Sequence, residues 1–195
     1  MLASGTGSNL KALLDEEVVG PAIRLVVSDR AEAKALDRAR SAGVEGVHLD
    51  PKVFEDRAAH DQALVQLLQD RDISLVCLAG YMRILSPVFV RAFWGRTLNV
   101  HPALLPAFPG GHAVRDALAW GVKITGCTVH LVDEEVDHGP ILAQESVPVL
   151  EDDDEPSLHA RIQETEHRLY PKVVRQILEG DMRIEGRRTL VEGGS

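Results

Sequence analysis

A chain of 195 residues, 45% of them hydrophobic, is long enough to bury a sizeable core without crosslinks, and its two cysteines, Cys77 and Cys127, lack metal-ligand spacing and read as buried reduced thiols. The formal net charge of -9 argues against a general nucleic-acid binder, so an anionic ligand needs a local site of amide donors and a few cations. No apolar run approaches the length of a membrane span and the start lacks a basic stretch followed by an apolar core, which predicts a soluble, cytoplasmic protein.

The chain opens with Met1-Leu2-Ala3-Ser4-Gly5-Thr6-Gly7-Ser8-Asn9-Leu10, a glycine turn entering a helix with Leu10, Leu13 and Leu14 on one side. Free backbone N–H groups at such a turn suit a phosphate, and Ser8 or Asn9 equally suits a helix N-cap. Gly5-x-Gly7 with Asp29 downstream also gives a weak dinucleotide fingerprint that lacks its third glycine. Only residues 1–3 are available for the preceding strand, so it is expected to be very short, or the numbered start lies inside a longer natural chain.

A strand over 23–27, a helix over 31–42 ending at Gly43 and a strand over 44–49 give a βαβ rhythm. A helix follows over 54–70, with Leu64, Leu67 and Leu68 at helical spacing. Residues 73–79 are too continuously apolar for a half-exposed strand and predict a central parallel strand covered on both faces. Gly80-Tyr81-Met82-Arg83-Ile84-Leu85 then leaves the carboxyl end of that strand, where ligands of open α/β sheets collect. Its apolar members suit the wall of a flat ligand and suit core packing about as well. Arg83 either steers an anion or braces the loop. Ser86-Pro87 opens a short helix through Trp94.

Thr97 to Val100 is strand-like, and Asn99 and His101, two residues apart, share one face of it. Pro102, Pro106 and Pro109 then stiffen the following loop. An amide that donates to a developing oxyanion and an imidazole that moves a proton near neutral pH serve acyl or formyl transfer, although Asn-x-His also caps ordinary strand ends. A helix over 112–120 closed by Gly121, a strand over 123–133 carrying His130, an acidic loop Asp133-Glu134-Glu135-Val136-Asp137-His138-Gly139-Pro140 and a strand over 141–149 come next. His130 lines the site or is a hydrogen-bonded structural residue. Asp137 gains weight only if the fold brings it to His101. Beyond the acidic linker 151–155, Leu158, Ile162, Leu169, Val173 and Ile177 stripe a last helix in which Pro171 predicts a kink or break, and residues 181–195 are expected to add one short strand and a frayed tail. The pattern as a whole predicts an α/β chain, one domain over 1–195, with a Rossmann-like, mostly parallel twisted sheet and helices on both faces.

Four separated motifs, Ser4-Gly5-Thr6-Gly7-Ser8-Asn9-Leu10, Leu78-Ala79-Gly80-Tyr81-Met82-Arg83-Ile84-Leu85, Asn99-Val100-His101-Pro102-Ala103-Leu104-Leu105-Pro106 and Asp137-His138-Gly139-Pro140, resemble in register the folate-dependent phosphoribosylglycinamide formyltransferase family of purine biosynthesis. The resemblance implies the formyltransferase fold and passage of a formyl group from 10-formyltetrahydrofolate, as co-substrate and without a metal, to the amine of glycinamide ribonucleotide. It implies catalytic roles for Asn99, His101 and Asp137, with the Asn99 amide and protonated His101 on the tetrahedral oxyanion and Asp137 supporting the charged ring. It further implies ribonucleotide binding by Thr6, Gly7, Ser8, Asn9, Met82 and Glu166, and folate binding by Arg83, Ile84, Leu85, Val132, Asp133, Glu134 and Val136. Small-molecule partners only, no nucleic acid and no membrane, and a monomer or homodimer are the corresponding expectations.

Two residues depart from the family pattern: Gly111 stands where a bulkier residue is usual, and His138 where a second small residue is usual. Related formyltetrahydrofolate hydrolases are expected to carry an extra N-terminal domain and to lack the phosphate loop. Methionyl-tRNA formyltransferases are expected to carry a further C-terminal domain with a basic face. A dinucleotide-dependent oxidoreductase needs the glycine turn to hold a pyrophosphate, and a catalytically silent binding module does not need Asn99, His101 and Asp137 together.

Overall fold

A computed structural model describes residues 1–191. The glycine turn leads into α1 (Ser8–Leu14), followed by α2 (Val19–Ala22), β1 (Leu25–Ser28), α3 (Lys34–Ser41), β2 (Glu45–His48), a 3-10 turn over Pro51–Val53, and α4 (Arg57–Gln69). Then come β3 (Val76–Cys77), α5 (Pro87–Ala92), β4 (Thr97–His101), α6 (Ala113–Trp120), β5 (Ile124–Leu131), β6 (Ile141–Pro148), α7 (Glu155–Glu179), β7 (Met182–Glu185) and β8 (Arg188–Val191).

β1 pairs with β2, and β3 with β4, in parallel. The strand expected before the glycine turn is reduced to Leu2, which bridges Val27 on one side and Leu78 on the other, both in parallel. Its N–H donates to the Cys77 carbonyl at 2.9 Å and its carbonyl accepts from Ala79 N–H at 2.8 Å, while on the other side the Met1 carbonyl accepts from Val27 N–H at 2.9 Å and Ala3 N–H donates to the Val27 carbonyl at 3.0 Å, so residues 1–3 join the two parallel pairs. β5 and β6 extend the other edge antiparallel. The loops after Leu2, β3 and β4 therefore all leave from the carboxyl edge of the parallel strands.

Alternation along the strands splits the core into two layers. Leu2, Leu25, Val27, Val76 and Leu78 pack with Leu64 and Leu68 of α4 and Phe89 and Val90 of α5. Val26, Cys77, Ala79, Leu98, Val100, Cys127 and Val129 pack with Leu10 and Leu13 of α1 and with Leu158, Ile162 and Val173 of α7. Helices thus cover both faces, and residues 76–79 are buried in both layers as their apolar run requires. Both cysteines are buried and free.

The structure revises several element boundaries. The helix expected over 31–42 begins at Lys34, and the one expected over 54–70 begins at Arg57, where the Asp56 carboxylate caps it by accepting from Ala59 N–H at 2.7 Å. Pro171 does not break α7. It removes one N–H from the ladder, while buried Tyr170, Val173 and Val174 hold that turn against the sheet. The single strand expected near the end is a hairpin, because Gly186 takes a positive φ of 61° and returns β7 onto β8. The Gly193-Gly194-Ser195 tail lies outside the described residues. Among the described residues no helix is long and apolar enough to cross a membrane.

Candidate active site

Asn99 and His101 lie on the same face of β4, opposite the layer that buries Leu98 and Val100, and pair across the strand with His130 and Thr128 of β5. The hairpin between β5 and β6 folds back over them. Its return depends on Gly139, where a Cβ would meet the Leu131 carbonyl oxygen at 1.9 Å. Asp137, at a φ of 52° seldom taken by a side-chain-bearing residue, is thereby aimed at the imidazole.

The Asp137 Oδ2 lies 3.2 Å from His101 Nδ1 and accepts from Gly110 N–H at 2.7 Å. Its Oδ1 lies 3.5 Å from both Asn99 Nδ2 and His130 Nε2. His101, Gly110, Asn99 and His130 thus converge on one carboxylate that lies far from Asn99 and His101 in sequence. His101 Nε2 is 2.8 Å from the Phe108 carbonyl. A carbonyl only accepts, so that nitrogen carries a proton and donates. The same logic places a proton on His130 Nδ1, 2.8 Å from the Leu131 carbonyl, which leaves His130 Nε2 to accept from Asn99 Nδ2 at 3.2 Å.

Burial opposes charge on the His101 ring and outweighs the attraction of Asp137 and the Phe108 carbonyl, so the ring titrates below the usual imidazole value. Burial also works against the Asp137 charge. The nearby His130 and His101 rings and the hydrogen bond from Gly110 N–H overcome it and hold the carboxyl below its usual range. The resting pair is therefore a carboxylate beside an uncharged ring.

The proline loop after His101 is tied to the sheet by a residue that sequence reasoning did not single out. The buried Thr128 hydroxyl donates to the Ala103 carbonyl at 2.7 Å and accepts from Leu105 N–H at 3.0 Å. Gln144 donates both to that hydroxyl and to the Leu105 carbonyl, each at 2.9 Å. The signal was present in the pleat, since Thr128 stands two residues before His130 on the same face.

At the glycine turn, Gly7 has a φ of 69°, and a Cβ there would meet the Ala35 Cα at 3.0 Å. Its carbonyl accepts from Lys11 N–H and the Thr6 carbonyl accepts from Arg38 Nε, so the loop is braced from α1 and α3. Asn9 and Glu166, 157 positions apart, meet where Asn9 Nδ2 donates to Glu166 Oε2 at 2.8 Å. The Asn9 Oδ1 is buried without a hydrogen-bond partner among the described residues. Burial pushes the Glu166 carboxyl up to about 7, against the opposing hydrogen bond from Asn9.

Met82 is exposed and its N–H donates to the Ser4 hydroxyl at 2.9 Å, which joins the segment after β3 to the glycine turn. Arg83 is half-buried and Ile84 is exposed, whereas the Leu85 side chain is buried in the core layer with Phe89 and leaves only its main chain for a ligand. Val132 N–H donates to the Thr97 carbonyl at 2.8 Å, Glu134 pairs with Arg91 of α5, and Val136 is exposed. His138 turns away from the catalytic cluster and meets Asp133 Oδ2 at 2.8 Å, closing the loop on itself. Among the described residues, nothing other than its chain neighbours lies within 4 Å of a Cβ built on Gly111.

A formyl transferase family model matches residues 1–174. The chain belongs to that family. Within it, the chain is similar to the phosphoribosylglycinamide formyltransferase of Mycobacterium tuberculosis, with 49% identity over 96% of this chain and 87% of that protein. It is also similar to that of Bacillus subtilis, with 41% identity over 91% of this chain and 93% of that protein. The crystal structure of glycinamide ribonucleotide transformylase 1 from Symbiobacterium toebii superposes with a TM-score of 0.94 at 50% identity, covering 98% of this chain and 92% of that one. The chain carries its polar cluster at the carboxyl edge of the parallel strands, where open α/β sheets bind ligands.

Proposed function

We propose that Asn99, His101 and Asp137 transfer the formyl group of 10-formyltetrahydrofolate to the amine of glycinamide ribonucleotide, giving formylglycinamide ribonucleotide and tetrahydrofolate. The observation that carries this reading is the convergence of Asn99 and His101 on the half-buried Asp137 carboxylate, with His101 Nδ1 3.2 Å and Asn99 Nδ2 3.5 Å from it. The ribonucleotide amine attacks the formyl carbon and leaves a tetrahedral centre bearing an oxyanion and an ammonium. The uncharged His101 takes a proton from that ammonium and returns it to folate N10 as the carbon–nitrogen bond breaks. The ring is thus cationic only while the oxyanion exists. Asp137 then stabilises the intermediate more than the resting enzyme, which is the condition for accelerating the step. One Asn99 N–H, held only by a 3.5 Å contact to Asp137, is available to turn to the oxyanion. When substrates bind, the Phe108 carbonyl must leave His101 Nε2 and the ring proton must pass to Nδ1, facing Asp137, so that Nε2 is free to take the proton.

On this reading the turn at Thr6, Gly7, Ser8 and Asn9 takes the ribonucleotide phosphate through backbone N–H groups, and Met82 and Glu166 flank the same substrate. Arg83, Ile84 and the main chain of Leu85, facing the hairpin at Val132, Asp133, Glu134 and Val136, take the folate. Incubation with both substrates and optical detection of tetrahydrofolate tests the reading. Turnover is expected only with both present, and His101→Ala is expected to lower it roughly 100- to 10,000-fold. Equal turnover without the ribonucleotide, or a loss of tenfold or less in a folded His101→Ala variant, rejects it.

A further inference from the structure

The segment 80–86 carries no regular structure, yet it supplies three of the seven residues assigned above to folate. Loops of this kind place ligand groups accurately only where something rigid holds their ends. At its start, Ser4 N–H donates to the Gly80 carbonyl at 3.1 Å and the Ser4 hydroxyl accepts from Met82 N–H. At its end stands a pair of ionisable groups that the reaction does not use. Asp61 of α4 is 1% exposed, and its Oδ2 accepts from Ser86 N–H at 2.5 Å. Its Oδ1 lies 3.0 Å from Nδ1 of His60, which is equally buried. His60 in turn places Nε2 3.3 Å from the Leu49 carbonyl and meets the Phe54 ring edge-on, with centroids 5.4 Å apart.

A carboxylate so deeply buried carries a large desolvation cost. Burial raises its proton affinity, but the bonds from His60 and Ser86 prevail and keep the carboxyl below its usual range. A neutral N-cap from α4 would close the same turn with no such cost. What the charge adds is a short charge-assisted bond that fixes the one backbone N–H at the boundary between the segment and α5.

We infer that Asp61, itself oriented by His60, is a positioning residue that holds segment 80–86 in the shape that receives 10-formyltetrahydrofolate. The inference rests on the assignment of Arg83, Ile84 and Leu85 to the folate pocket. Asp61 touches neither substrate nor the reacting atoms. Loosening Ser86 frees one end of the wall while Ser4 still holds the other, so the deficit falls on folate recognition and spares the Asn99–His101–Asp137 cluster.

The test compares Asp61→Asn, Asp61→Ala and Ile84→Asp in the full chain, with KM for each substrate and kcat measured separately. Asp61→Asn keeps an acceptor for Ser86 N–H and is expected to raise the folate KM about threefold, and Asp61→Ala about tenfold or more. The ribonucleotide KM and kcat are expected to stay within about twofold. Simple loss of folded protein would lower the apparent kcat and leave both KM values alone. Should the alanine variant not fold, His60→Gln, which keeps Asp61 but weakens its support, is expected to raise the folate KM alone. If Ile84→Asp raises the folate KM while neither Asp61 variant does, the positioning role is overturned and the pocket assignment stands. If Ile84→Asp leaves the folate KM unchanged, the pocket assignment falls, and this inference with it.

Discussion

Asp137→Asn isolates the contribution of charge at the centre of the site. The amide is the same shape, and with its oxygen in the place of Oδ2 it can still accept from Gly110 N–H, now 2.7 Å away, and from His101 Nδ1, now 3.2 Å away, whenever that nitrogen carries a proton. What it loses is the negative charge beside a ring that becomes cationic during the reaction. An opposite charge at this separation is worth roughly one to three pKa units to its partner, or about 1.4 to 4 kcal/mol. Since that charge acts on the intermediate and hardly on the resting, uncharged ring, nearly all of it enters the barrier, and kcat is expected to fall about 10- to 1,000-fold. The pH profile carries a second signature. The acid limb of kcat reports loss of the uncharged ring, and His101 already titrates below the usual imidazole value. Without Asp137 to favour the cation, that limb moves to still lower pH. Tetrahydrofolate release followed from about pH 5 to 8 measures both quantities. A folded Asp137→Asn enzyme within threefold of the parent, or one whose acid limb stays in place, refutes the role given to the carboxylate.

Three further outcomes follow from the site and its supports. Asn9→Ala removes the only side-chain hydrogen bond to the Glu166 carboxylate among the described residues and is expected to raise the ribonucleotide KM with the folate KM unchanged; the reverse pattern in steady-state kinetics would show the two subsites exchanged. Glu166, with a carboxyl raised from 4.5 to about 7, contributes stability that is fully present below about pH 4.5 and is lost as pH rises through 7, a difference of roughly 3 kcal/mol. Glu166→Gln is expected to flatten that dependence, and denaturant melts at pH 5 and 8 that show the same decline in both proteins would count against it. Gly139→Ala drives a Cβ into the Leu131 carbonyl, so the hairpin must shift, and activity is expected to fall by more than tenfold with a melting temperature lowered by several degrees. An alanine enzyme with parental turnover would show that the hairpin does not set the Asp137 position.

Much of this protein is written in local chemistry. The apolar runs at 25–27 and 75–79 announce buried strands, and Asn99 and His101 are two residues apart on an extended chain, so they share a face whatever surrounds them. Helix ends were read less well, because Asp56 rather than Phe54 starts α4 and the cap is chosen by a single side-chain bond. Pro171 misled for the opposite reason: its local penalty is real, but burial of Tyr170 and Val173 around it outweighs one lost hydrogen bond. The meeting of Asn9 with Glu166, and of His101 with Asp137, is not encoded in any spacing. It depends on α7 crossing one face of the sheet and on the β5–β6 hairpin turning back over the other. The sequence alone determined which groups are present and which face of a strand or helix each occupies, since pleat and helical period act over a few residues. Only the tertiary structure decided which of those faces confront one another, because long-range packing brings them together and burial then sets how each group ionises.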